Sequence, residues 1–202
     1  MARQTIVAVL LVACPLAKSL QVVHAGGTGP AIARQLGLLV IAGGLLLHEA
    51  GSARAWLAAV GLRRCPWPWI VVPLGASLVA AVIAAAGSSR GWHLDGGRLV
   101  ELVLLTAAGE ELLYRGCLLA LATRAFGSGP AVALTSLSFA AWHVGDAIVR
   151  HERLAVTLAV TFAGGVLFAL ARRRSGSLLA PIALHVATNA PGLTVRTAGG
   201  RS

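Results

Sequence analysis

The sequence is dominated by a succession of apolar runs, each near the length that crosses a bilayer, separated by short breaks of Gly, Pro, Ser and Arg. A hydrocarbon core of about 30 Å needs about 20 mainly apolar helical residues. Seven segments read as candidates: 5–23, 31–47, 69–86, 99–123, 131–144, 154–171 and 178–190. With 57% of residues hydrophobic and 12% charged, a water-soluble globule is excluded. Disorder is excluded too, because it needs low hydrophobicity. The expected fold is all-α, a polytopic transmembrane helix bundle of about seven spans. Its organisation divides into residues 1–98, N-terminal transmembrane helices with an interfacial helix at 53–62, and residues 99–202, which carry the polar residues of interest. The run 63–69, with two Arg and two Trp, reads as a headgroup anchor behind that interfacial helix.

The first segment also resembles a signal peptide, since Arg3 precedes an apolar run that ends in Val23, His24 and Ala25. It reads as a span because the run continues past Cys14 toward Val23. Cys14, Cys65 and Cys117 are an odd, widely spaced trio without CxxC spacing, which excludes a disulfide scaffold. The net charge of +10 arises from sixteen Arg and one Lys, Lys18. These residues lie singly or in short runs between apolar segments, the pattern of membrane-flanking charges and not of a nucleic-acid surface. With the N-terminus inside, eight basic residues fall on the inner side (Arg3, Arg54, Arg63, Arg64, Arg124, Arg172, Arg173 and Arg174). Six fall outside (Arg90, Arg98, Arg150, Arg153, Arg196 and Arg201), so the positive-inside rule gives a weak bias to a cytoplasmic N-terminus.

Most acidic residues and histidines sit at span ends, where water solvates them: His24, His48, Glu49, His93, Asp95, Asp146, His151 and Glu152, with Glu101 within a turn of one. Glu110, Glu111, His143 and His185 fall inside predicted spans, where an ionisable group is costly and marks a functional-site candidate. Arg115 and Asn189 join them. Glu110 with Tyr114, Glu111 with Arg115, Phe139 with His143, and His185 with Asn189 are all i,i+4 pairs, each on one face of its helix.

Depth follows from counting along the chain. Glu110 precedes Arg124 by 14 residues and His143 follows Pro130 by 13, which puts both about 20 Å from the same membrane face. His185, 11 residues past Arg174, lies at about 16 Å. The helices carrying His143 and His185 are expected to run only to Gly145 and Pro191, about 20 Å, short of a full crossing and leaving room for water. Singly, these residues read as structural: Glu111 with Arg115 as an ion pair, the histidines and Asn189 as interhelical hydrogen bonders, and Tyr114 and Phe139 as packing residues. Jointly they suit hydrolysis of an amide bond. Glu110 would be the general base, His143 would position the water, and His185 with Asn189 would stabilise the oxyanion.

A metal variant uses Glu110, His143 and His185 as ligands of one divalent cation such as zinc. HExxH is absent, since Ser52 stands where the pair His48 and Glu49 would need the second His. The G-x-S-G of rhomboid-type and the G-x-G-D of aspartyl intramembrane proteases are absent as well. A non-catalytic scaffold or immunity protein that keeps these residues for packing is the main alternative. A proton-coupled carrier ranks below it, because no inverted repeat is visible.

The ordered trio Glu110-Glu111-x-x-x-Arg115-Gly116, Phe139-x-x-x-His143 and His185-x-x-x-Asn189 resembles the three-motif pattern of the CPBP family, which includes type II CAAX prenyl endopeptidases and bacteriocin-processing or self-immunity proteins. The resemblance covers roughly residues 99–191. It implies an intramembrane endopeptidase acting on a membrane-anchored protein or peptide, with Glu110 and His143 on the water side and His185 with Asn189 on the oxyanion side. Glu111 and Arg115 would support them. The family has been described both as metal-dependent and as glutamate-dependent, which leaves open whether a cofactor is required. The expected partners are the lipid bilayer and the membrane-anchored substrate, with no nucleic acid. The Arg-rich, Lys-poor composition suggests a multi-pass protein of a bacterial cell membrane.

Overall fold

A computed structural model describes residues 1–25, 27–86, 92–94, 100–189 and 194–196 of the 202-residue chain. The start of the fourth expected span at 99, the end of the seventh at 190, Asp95, Pro191 and the boundary at 98 lie outside the described residues. The protein is a helical membrane bundle. A helix satisfies its backbone polar groups within itself, which hydrocarbon demands.

The order of elements is α1 (Ala2–Ala25), α2 (Thr28–Ala50), α3 (Ala53–Val60) and α4 (Pro68–Ala86), followed by a three-residue strand β1 (Trp92–Leu94). A helical path over 101–126, here α5, comprises π-helical Glu101–Ala108, an α-helical turn Gly109–Glu111, π-helical Leu112–Leu118 and α-helical Leu119–Phe126. Then come α6 (Ser128–Trp142), α7 (Val144–Val149), α8 (Leu154–Ser175), α9 (Leu179–Asn189) and β2 (Thr194–Arg196), which pairs antiparallel with β1.

Helices thus occupy the described part of every segment expected to span. Among the described residues, four stretches are both long and apolar enough to cross a membrane: Ala2–His24, Gly29–Ala50, Ser128–Val149 and Leu154–Ser175. Their lipid-ready surface is visible in the large apolar side chains left exposed, such as Val12, Val40, Leu137 and Val160.

The basic ends expected on one side gather there. Arg3 Nε pairs with Glu49 Oε1 at 3.0 Å, and Arg124 approaches the other oxygen of Glu49 at 3.5 Å, which ties the start of α1 to the ends of α2 and α5. On the same side, Arg172 donates to the Ala59 carbonyl at 2.9 Å and the Ser177 hydroxyl donates to the Arg63 carbonyl at 2.8 Å. Gly61 ends α3 in the left-handed region with φ 88°, and a Cβ there would lie 2.3 Å from the Arg172 guanidinium, so only glycine leaves room for that contact.

One expectation needs correction. The spacing predicts that the helix carrying His143 stops near Gly145 and leaves a short crossing. Instead α6 ends at Trp142, His143 sits in the bend with φ −95° and ψ 0°, and the path resumes as α7. Its length is that of a full crossing, because the chain returns to helix at Val144 and runs on to Val149. The other helix expected to be short, α9, is described over 11 residues, about 16 Å, and its expected end at Pro191 lies outside the described residues.

Candidate active site

The two adjacent glutamates stand on one α-helical turn, Gly109–Glu111, between two wider π-helical stretches of α5. Successive residues on a helix point about 100° apart, so the carboxylates diverge. Each enters a different polar cluster. Glu110, Glu111, Arg115 and His185 are all buried, none more than 5% exposed.

Glu110 turns toward α6, α7 and α1. The indole Nε1–H of Trp142 donates to Glu110 Oε1 at 2.8 Å, and Lys18 Nζ stands 3.5 Å from the same oxygen. Lys18 is itself anchored by Asp146 Oδ2 at 2.7 Å. The second oxygen of Glu110 is buried and has no partner among the described residues. Those contacts suit an ionised carboxylate with one oxygen held and one available.

Glu111 turns toward α8 and α9. Its Oε1 accepts from Arg115 Nη1 at 3.0 Å and from His185 Nδ1 at 2.8 Å. The other arm of Arg115 donates to the Gly165 carbonyl at 3.2 Å, which fastens α5 to α8. The expected Glu111 and Arg115 pair therefore forms, and the carboxylate also holds an imidazole.

Both imidazoles are oriented through Nδ1. The Nδ1 of His143 lies 2.9 Å from the Phe139 carbonyl, which can only accept, so Nδ1 carries the hydrogen. In the neutral ring Nε2 is then the free acceptor. His143 is half-buried at the bend between α6 and α7.

An aromatic cluster sets the spacing. Phe139 stands edge-on to Tyr114 at 5.1 Å, to His143 at 4.8 Å and to His185 at 6.0 Å between ring centroids. The Arg115 guanidinium lies 4.1 Å from the Phe139 centroid, and Phe168 stacks on His185 at 5.1 Å. The Tyr114 hydroxyl donates to the Ser138 carbonyl at 3.3 Å. Tyr114 and Phe139 thus pack as expected, and Phe139 is the residue that both histidines touch. Asn189, the last residue of α9, stands half-buried one turn beyond His185.

A family model described as Rce1-like, type II CAAX prenyl endopeptidase Rce1-like, matches residues 91–191, half of the chain. The chain belongs to this family. No curated protein and no solved structure matches it. Membership makes the chain an integral-membrane, intramembrane protease.

The Rce1-like region runs from β1 to α9 and includes every residue singled out in the three motifs. The site extends beyond it. Lys18 on α1 lies outside the matched residues and is 7% exposed within a helix fit to span. Sequence reasoning places it among the flanking charges and leaves Asp146 solvated; the structure pairs the two against Glu110. Trp142, Phe168 and Arg34 were also missed. Arg34 of α2 bonds the Gln21 side chain and lies 4.8 Å from the Trp142 ring centroid. Lys18 and Arg34 each stand inside an apolar run, the signal that singled out Glu110, and so were open to the same reasoning.

The metal variant fares differently. Among the described residues no three His, Cys, Asp or Glu side chains form a group that could hold an ion. Glu110 and His185 belong to separate polar clusters, the imidazole of His185 being bonded to Glu111. The described residues do not fit the ligand set Glu110, His143 and His185, and no step is derived through a metal.

Proposed function

We propose that the protein hydrolyses a peptide bond in a membrane-associated protein or peptide, with prenylated CAAX-type segments as the substrate class that its family description suggests. The observation that carries this reading is the state of Glu110: a buried carboxylate with Oε1 held by Trp142 and Lys18 and Oε2 left without a partner among the described residues. Water bonded to Oε2 is deprotonated as its oxygen attacks the scissile carbonyl carbon. His143 accepts the water's second hydrogen at Nε2 and fixes its direction. The carbonyl oxygen becomes an oxyanion, toward which Asn189 and His185 donate. A donor at His185 Nε2 requires the imidazolium, whose Nδ1 meets the Glu111 carboxylate that it shares with Arg115. The C–N bond then breaks, Glu110 returns its proton to the leaving amine, and the new carboxylic acid, which still carries the water's second hydrogen, passes that proton to the amine as the products reach water.

The roles of Glu111 and Arg115 follow from their contacts. Together they fix the angle of His185 and join α5 to α8 and α9. The exposed apolar helices support a site within a bilayer, and the Arg-rich, Lys-poor composition supports a bacterial cell membrane.

The test is cleavage of a pooled library of prenylated CAAX peptides and membrane-anchored segments by purified protein, with products mapped by mass spectrometry. Glu110→Gln and His143→Ala should each abolish cleavage while the variants remain folded. Cleavage retained in both would overturn the mechanism. A wild type that cleaves nothing in the library would favour a scaffold or immunity role.

A further inference from the structure

Lys18 is the chain's single lysine and lies within an apolar helix, one of the costliest places for an ammonium group. Its ammonium is committed to the site. Nζ meets Asp146 Oδ2 at 2.7 Å and Glu110 Oε1 at 3.5 Å, and stands 5.0 Å from the Trp142 ring centroid. The backbone is shaped for this contact. A Cβ on Gly145 would lie 2.8 Å from the Cα of Ser19, so α1 and α7 approach closely at the residues next to Lys18 and Asp146. Two donors, the indole and the ammonium, thus converge on one oxygen of Glu110 and leave the other bare.

We propose that Lys18 is a positioning residue for hydrolysis: anchored by Asp146, it clamps Oε1 of Glu110 and so presents Oε2 to the attacking water. The first helix, outside the residues that match the family, is then part of the catalytic machinery. Lys18 acts through Glu110, so the inference rests on Glu110 being the water-activating group. Asp146 in turn acts through Lys18.

The experiment uses the full chain in proteoliposomes and the library peptide that the wild type cleaves fastest. The variants are Lys18→Met, Lys18→Arg, Asp146→Asn, the double variant Lys18→Met with Asp146→Asn, and Glu110→Gln. Lys18→Met should lower kcat on the order of 100-fold through a misplaced carboxylate, with KM changed by no more than about threefold. Lys18→Arg should recover most of that loss, and the double variant should be no slower than Lys18→Met. Should Lys18→Met unfold, Lys18→Ala assayed with added methylammonium or ethylammonium takes its place, and rescue by the cation but not by an uncharged alcohol of equal size supports the clamp. A wild-type kcat in Lys18→Met beside an inactive Glu110→Gln would overturn the role of Lys18 alone. Full activity in Glu110→Gln would overturn the underlying reading and the inference with it. Loss that neither arginine nor the cation repairs would reduce Lys18 to a structural residue.

Discussion

Gly145→Ala is the sharpest probe of how α1 is seated. The added Cβ would lie 2.8 Å from the Cα of Ser19, 3.3 Å from its Cβ and 3.3 Å from its carbonyl oxygen. Two of these atoms are backbone and cannot swing away, so α1 must retreat from α7 until the closest contact reaches an ordinary 3.4–4 Å. That displacement is about 0.6–1.2 Å, and overpacking of this size costs about 1–3 kcal/mol. For a chain of this length such a loss lowers Tm by about 2–12 °C. The same retreat draws Lys18 from a carboxylate oxygen that is already 3.5 Å away. The assay is thermal unfolding in detergent together with kcat on a cleaved library peptide. Gly164→Ala is the control, since its Cβ would meet only the edge of the Phe168 ring at 3.9 Å. Gly145→Ala with the Tm and kcat of the control would refute the close packing of α1 on α7.

Other perturbations separate packing from chemistry. Arg115→Met leaves the Glu111 carboxylate buried without its guanidinium and should cost about 3–5 kcal/mol, read as a fall in Tm and in folded yield. Asn189→Ala removes a proposed oxyanion donor and should lower kcat about 100- to 1,000-fold with Tm unchanged. Tyr114→Phe loses one hydrogen bond to the Ser138 carbonyl and should cost about 0.5–1.5 kcal/mol in thermal unfolding, with cleavage close to wild type.

Local spacing makes the motif residues legible in the sequence itself. Glu111 and Arg115 form the i,i+4 pair that the spacing predicts, and the depth count puts Glu110, His143 and His185 at levels that contacts through Trp142, Phe139 and Glu111 join. What escapes is non-local. The partnership of Lys18 with Asp146 spans more than a hundred residues and depends on a close approach of backbones at Gly145. That Lys18 stands inside an apolar run marks it as a candidate but gives no sign of which group it meets. Nor does the sequence fully separate the tasks of the paired glutamates. That Glu111 holds His185 follows from the angle between neighbouring residues on α5 and the position of α9, which only packing defines. The bend at His143 carries no proline, and its local mark is Gly145 two residues on, which signals an end to the helix and not a bend followed by more helix.

The central claim is that Glu110 activates water for peptide hydrolysis. The most direct measurement is single-turnover cleavage of the best library peptide by wild type and by Glu110→Gln, each with and without a chelator. Cleavage by wild type in both conditions, with Glu110→Gln inactive in both, is the predicted result. Wild-type rates in Glu110→Gln, or a wild type that chelator alone silences, would contradict it.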